Sequence, residues 1–172
     1  LGFLFKNKSF QIIKEEIISP GRVVCLHLCY QGTPFKLVNV YAPTQKNDRY
    51  DTFEQIQHFI SRSTPFFLVG DFNCIISTTD RIGSEQNYKL DKSSKLLIEI
   101  IKNCNLQDSY TNCNPNATGF TWLSGDSSTT SRIDFIFASP TIKCLMSTLE
   151  DSCLSDHQTL ISKCILLDTP QR

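Results

Sequence analysis

The run "RVVCLHLCYQG", residues 22 to 32, constrains the fold more than any other stretch. Read with a period of two, it puts Val24, Leu26, Leu28 and Tyr30 on one face and Val23, Cys25, His27 and Cys29 on the other. Both faces are largely apolar. A strand with one wet side alternates apolar with polar residues, whereas a strand apolar on both sides has to be covered on both. The chain must therefore build a sheet between further layers. At 172 residues it can bury a substantial core within one domain.

The neighbouring runs extend this reading. "SFQIIKEEIISP" before it and "PFKLVNVYAP" after it are strand-like, and "QGT" with Pro34 predicts a hairpin. Residues 47–62 change period: Phe53, Ile56 and Ile60 recur at helical spacing, with Asn47, Asp48 or Asp51 as candidate N-caps. A second helix is expected over 91–104, capped by Asp91, with Leu97, Ile100, Ile101 and Cys104 as its apolar stripe. "PFFLV", "GFTWL", "SRIDFIFAS", "IKCLMSTLE" and "HQTLISKCILL" complete the strands, joined by polar loops at 111–119 and 124–131. Strands with a few outer helices imply a sheet-rich α/β sandwich.

Charge gives no global argument for a nucleic-acid partner, because 17 Lys and Arg balance 17 Asp and Glu. A local basic face would draw on Arg81, Lys89, Lys92 and Arg132. The eight cysteines contain no Cys-x-x-Cys pair, and three histidines are few for zinc sets. They read as free thiols acting as small buried hydrophobes, which fits a reducing compartment, nuclear or cytoplasmic. No apolar run reaches the ~18 residues of a spanning helix, so no membrane partner is expected. No signal peptide is visible, and the start at Leu1 reads as a piece of something longer.

Polar residues interrupt the apolar pattern at strand ends. "NVYAP" puts Asn39 and Tyr41 on the face of Phe35 and Leu37, and "FFLVGDFN" ends on Asp71 and Asn73. "SRIDFIF" carries Asp134 within an apolar strand, and "LSDH" sets Ser155, Asp156 and His157 just before one. Each has a structural reading. Tyr41 can be a core ring, Asp71 and Asn73 an Asx turn, Asp134 an ion-pair partner of Arg132 or Arg81, and "SDH" a turn.

Together and in order, "NVYAP", "GDFN", "FTW", "SRIDFIF" and "LSDH" resemble the endonuclease/exonuclease/phosphatase family. The spacing resembles its apurinic-endonuclease-like branch, and "GDFNCIISTTDR" the endonuclease domain of LINE-type non-LTR retrotransposons, over residues 1–168 with a short tail at 169–172. The resemblance implies a four-layer α/β sandwich, two mixed β-sheets flanked by helices, that hydrolyses phosphodiesters with Mg²⁺ or Mn²⁺. Carried over, Asp71 would activate the attacking water and Asn73 would hold that water or the phosphate. His157 would bond a phosphate oxygen, Asp134 would orient the imidazole, and Tyr41 would contact the phosphate or help the leaving group. The metal would lie near Asp71, Asn73, Asp156 and His157, and Arg81, Thr121 and Ser155 would contact DNA.

In that family an earlier strand carries an Asn, and the next ends in the Glu that is the main protein ligand of the metal. The chain starts after that point, and Glu15 and Glu16 are poor substitutes in mid-strand. An apolar edge left exposed and impaired catalysis are the expectations, with a monomer as the assembly. The leading function is nicking of target DNA beside a reverse transcriptase on the same full-length chain. An abasic-site repair endonuclease of the same family, and a non-catalytic remnant that only binds nucleic acid or a partner, are the alternatives.

Overall fold

Gln31 and Gly32 both take positive φ, 50° and 82°, the signature of a two-residue primed turn whose twist suits a hairpin. They join β2 (Val23–Tyr30) to β3 (Thr33–Tyr41), with Tyr30 opposite Thr33 and Val23 opposite Val40. Pro34 sits one residue into β3. The computed structural model describes residues 1–6, 9–60, 63–83 and 88–167.

Around this hairpin stands a six-stranded mixed sheet. β1 (Phe10–Ser19) runs antiparallel along β2 as one edge. β4 (Phe66–Asp71) runs parallel to β3, the crossover being helix α1 (Lys46–Phe59). β9 (Asp134–Ala138) is antiparallel to β4, and β6 (Gln107–Asp108) closes the far edge. A three-stranded sheet of β5 (Arg81–Ile82), β8 (Thr130–Ser131) and β7 (Trp122–Leu123) lies in that order. β10 (Ile142–Glu150) and β11 (Thr159–Leu166) form a further antiparallel pair.

The two faces of β2 are covered by different layers, as its sequence demands. α1 and α2 (Lys92–Asn103) pack Phe53, Ile56, Leu97 and Ile100 onto Cys25, Val38, Leu68 and Phe137. Each such fully buried side chain contributes about 1.5–3 kcal/mol. On the opposite face Leu26, Leu28 and Phe35 meet Phe3, Phe5, Phe67 and Leu166. There the six-stranded sheet and the β10–β11 pair enclose an open groove of about 700 Å³ floored by Leu37, Phe67, Val69 and Ile136. β1, at the edge of the six-stranded sheet, exposes Ile12, Ile13 and Ile17.

Two expectations change in detail. Asn47, Asp48 and Asp51 lie inside α1, which is preceded by Gln45 with no side-chain cap bond. Residues 61–62, expected at that helix's end, and the tail at 169–172 lie outside the described residues. Asp91 does cap α2, accepting from the Ser94 N–H at 2.9 Å. Among the described residues no helix is long and apolar enough to cross a membrane. Cys144 and Cys164 bring their sulfurs within 2.9 Å across β10 and β11, and burial pushes the Cys164 thiol up to about 12.

Candidate active site

Gly70 decides how the site begins. Its φ is +129°, and a Cβ there would stand 1.9 Å from the Val40 carbonyl oxygen. Only glycine lets β4 run beside β3 in this conformation. One residue on, Asp71 lies opposite Tyr41 of β3 and Asp134 of β9. By the two-residue period, Tyr41, Asp71 and Asp134 share the face of Leu37, Val69 and Ile136. The polar row therefore stands at the end of the apolar groove.

Asn73, at φ 48°, turns the chain back. Its backbone N–H donates to Asp71 Oδ1 at 2.8 Å; its Nδ2 donates to Asp71 Oδ2 at 3.1 Å and to the Ala42 carbonyl at 2.8 Å. The segment is an Asx turn and also an aimed carboxylate, so the structural and chemical readings hold together.

His157 arrives from the turn before β11, and its Nδ1 lies 2.8 Å from Asp134 Oδ2. Thr121 Oγ1 accepts from the backbone N–H groups of Ile133 (3.1 Å) and Asp134 (3.0 Å), fixing the start of β9. Asp71, Asp134 and His157 bring one ligand atom each within 4.8 Å of one another.

The electrostatics follow from this crowding. Burial, with the nearby Asp134 charge, pushes Asp71 up to about 6 against the Asn73 N–H and the His157 charge. Burial also raises Asp134, opposed by Thr121 and His157. For His157 burial opposes the charged ring, but the Asp134 hydrogen bond and the charges of Asp134, Asp71 and Asp156 outweigh it and raise the pKa. The site thus pairs a carboxylate that titrates near neutrality with an imidazole that favours its cation.

A divalent cation fits this donor set. Two half-buried carboxylates share one small space, and burial raises both against the single nearby imidazole. Mg²⁺ binds through one or two carboxylates, waters and substrate phosphate, and Mn²⁺ accepts the same oxygens. His157 Nδ1 is engaged by Asp134, so the carboxylates are the natural ligands.

The model of the endonuclease/exonuclease/phosphatase family matches residues 6–157. The chain belongs to that family. It is 31% identical over 161 residues to the uncharacterized 149 kDa protein of transposon TX1 from Xenopus laevis, a match over 88% of this chain and 12% of that protein. Among solved structures it resembles an AP endonuclease from Archaeoglobus fulgidus (TM-score 0.67, 16% identity, 84% of this chain, 65% of that one). It also resembles the 3′ phosphatase NExo from Neisseria bound to a product DNA hairpin (TM-score 0.66, 20% identity, 83% and 64%). The chain therefore spans about an eighth of the transposon protein and just under two thirds of those structures.

Within this family member, Tyr41, Asp71, Asn73, Asp134 and His157 converge, as the motifs predict. Tyr41 is half exposed beside Asp71, with the Arg22 guanidinium 5.3 Å from its ring centroid. Two readings change, where Asp134 stands in its strand and what Thr121 faces. Asp134 begins β9 instead of standing in mid-strand; of its two expected partners it takes His157, not an arginine. Thr121 is 1% exposed, so its hydroxyl serves the backbone of Ile133 and Asp134 and does not face DNA. Asp156 is exposed, its Oδ2 accepting from Trp122 Nε1 at 2.8 Å and its charge acting on Asp134 and His157.

Arg132 leaves the candidate basic face for the same reason: it is buried. It pairs with Asp80 at 2.9 Å and with Asp108, over the Phe135 ring. Arg81 lies on β5 over the Tyr88 ring, 4.6 Å from its centroid, outside the cluster. Ser155 is exposed and accepts from the His157 N–H at 3.0 Å, and Glu16 bonds Lys14 and His27 away from the site. Sequence reasoning missed Asp80, Asp108 and the role of Trp122. "FTW" carried a signal for the last, since Trp122 is the single tryptophan.

Proposed function

We propose that this chain is a Mg²⁺- or Mn²⁺-dependent DNA endonuclease of the LINE retrotransposon type, acting beside a reverse transcriptase in its full-length protein. The observation that carries the reading is the Asp134–His157 pair, 2.8 Å long and facing the Asp71 carboxylate at the end of a groove. Similarity to a transposon protein and to nuclease and phosphatase structures supports it.

Phosphodiester hydrolysis needs a deprotonated water, shielding of phosphate charge and a proton for the leaving oxygen. Asp71, with a pKa of about 6, is ionised at neutral pH and basic enough to take a proton from water. Asn73 holds that carboxylate through two hydrogen bonds. His157, kept cationic by Asp134, presents Nε2–H to a non-bridging phosphate oxygen. The exposed Tyr41 hydroxyl lies beside the reacting phosphate. Asp71 and Asp134 would hold the divalent ion, which when bound neutralises charge on the phosphate and leaving oxygens.

The test is plasmid nicking with Mg²⁺ and with EDTA, by the parent chain, an Asp71→Ala variant and a version extended by a family-type amino-terminal segment. Nicking that needs metal and Asp71 supports the reading. Cleavage confined to abasic plasmid would favour the repair-type alternative. DNA binding with no cleavage by either parent or extended version would leave the non-catalytic remnant.

A further inference from the structure

We propose that Trp122 is a positioning residue: its indole N–H holds the Asp156 carboxylate and thereby sets the 155–157 turn that aims His157 at Asp134 and Asp71. This rests on the proposed function only where it concerns metal.

The strip 121–123 stands between the start of β9 and the 155–157 turn. On one side the Thr121 N–H donates to the Ser131 carbonyl at 2.9 Å, and Thr121 Oγ1 takes the N–H groups of Ile133 and Asp134. On the other side Trp122 bridges His157 in β fashion. The Leu123 N–H donates to the Asp156 carbonyl at 3.1 Å, and the Gln158 N–H donates to the Thr121 carbonyl at 2.8 Å. Asp134 and His157 come from segments far apart in sequence, and this strip sets the distance between them.

The turn itself has few other anchors. Ser155 and Asp156 are exposed, the Ser155–His157 bond is local, and β10–β11 pairing begins only at Thr159 opposite Glu150. Gln158 Nε2 reaches Asp151 within the same excursion. The indole–carboxylate bond, 2.8 Å and charge-assisted, is the side-chain tie from the turn to the strip. It also engages Asp156 Oδ2, whose charge acts on Asp134 and His157. A shift of about 1 Å at a reacting group costs about 10²-fold in rate, so such a tie has functional weight.

Three variants separate the roles. Trp122→Phe keeps an aromatic ring and the backbone bridge but removes the N–H. Asp156→Ala removes the acceptor, while Asp156→Asn keeps an acceptor oxygen and drops the charge. The readouts are amide hydrogen exchange at Leu123 and Gln158, and Mn²⁺ affinity followed by electron paramagnetic resonance.

Trp122→Phe and Asp156→Ala are each expected to speed exchange at both amides about tenfold or more. Each should weaken Mn²⁺ binding about 10–100-fold, the usual effect of losing an outer partner of a metal site. The double variant should be no worse than either single one, and Asp156→Asn should stay close to the parent. Exchange unchanged in Trp122→Phe overturns the proposal. Mn²⁺ affinity lost equally in Asp156→Asn and Asp156→Ala, with exchange untouched, overturns it in favour of Asp156 as a direct ligand. If the parent takes up no Mn²⁺, the metal reading of the proposed function fails, and exchange alone decides the positioning role.

Discussion

Asp134 and Asp71 stand opposite each other on adjacent antiparallel strands, and only Asp134 has an imidazole to neutralise it. That asymmetry divides two nearby carboxylates into different tasks. Asp134 spends its charge on His157, while Asp71 has no such partner, and burial with a like charge nearby pushes it up to about 6.

Replacing the base should therefore separate stability from activity. The native state keeps the Asp71 proton up to about pH 6, whereas the unfolded carboxyl releases it near 3.8. Between those values the native state binds more protons, so stability falls as pH rises. Asp71→Asn should melt higher than the parent at pH 8, by about 1–3 kcal/mol after allowing for solvent screening, and show no gain at pH 3.5. Nicking should vanish in the same variant. Thermal melts across pH 3.5–8 check the sign, and a variant less stable at pH 8 would contradict it.

The His157 pair shifts stability in the same sense, over a higher pH window. Its folded pKa is raised, so its contribution is complete below about 6.5 and disappears as pH climbs through the folded value. Asp134→Asn should lower the His157 pKa in an NMR titration. The stability difference between parent and variant should be larger at pH 6 than at pH 9. Cleavage should drop by about 10²–10⁴-fold, since the ring loses both its orientation and its charge.

Arg132 ties the turn after β4, the start of α3 (Ser109–Cys113) and the approach to β9 through two buried carboxylates. Arg132→Ala leaves Asp80 and Asp108 buried without their cation, and should cost about 3–5 kcal/mol in urea unfolding. Arg132→Lys should recover only part, because an ammonium lacks the fork that reaches both acids. Equal stability of parent and alanine variant would show that water compensates the acids.

Gly70→Ala tests the backbone rather than the chemistry. A methyl at this φ carries about 1–3 kcal/mol of strain and must also displace the Val40 carbonyl. The variant should fail to give a folded, parent-like product by circular dichroism and size-exclusion chromatography. A folded, native-like product would mean that β4 can move away from β3.

Much of the site was legible because its polar residues break a strong apolar pattern. Asp71, Asn73 and Asp134 sit where a period-two run should continue, and ordered motifs linked them to His157. Thr121 and Arg132 were misread because residue type does not reveal which way a side chain is turned or what meets it. A hydroxyl can serve DNA or a strand end, and an arginine beside a motif can face solvent or two buried acids.

The amino-acid sequence by itself determined the two-sided burial of the central strand, the helix capped by Asp91, the glycine before Asp71 and the residues that form the reactive row. These depend on local periodicity and backbone sterics, which neighbouring residues specify. Only the tertiary structure decided that Thr121 serves the start of β9, that Arg132 is spent on Asp80 and Asp108, and that Asp156 turns to Trp122. Those pairings join segments distant in the chain, and the choice among partners of like charge is made by strand register and by which groups lose their water on packing.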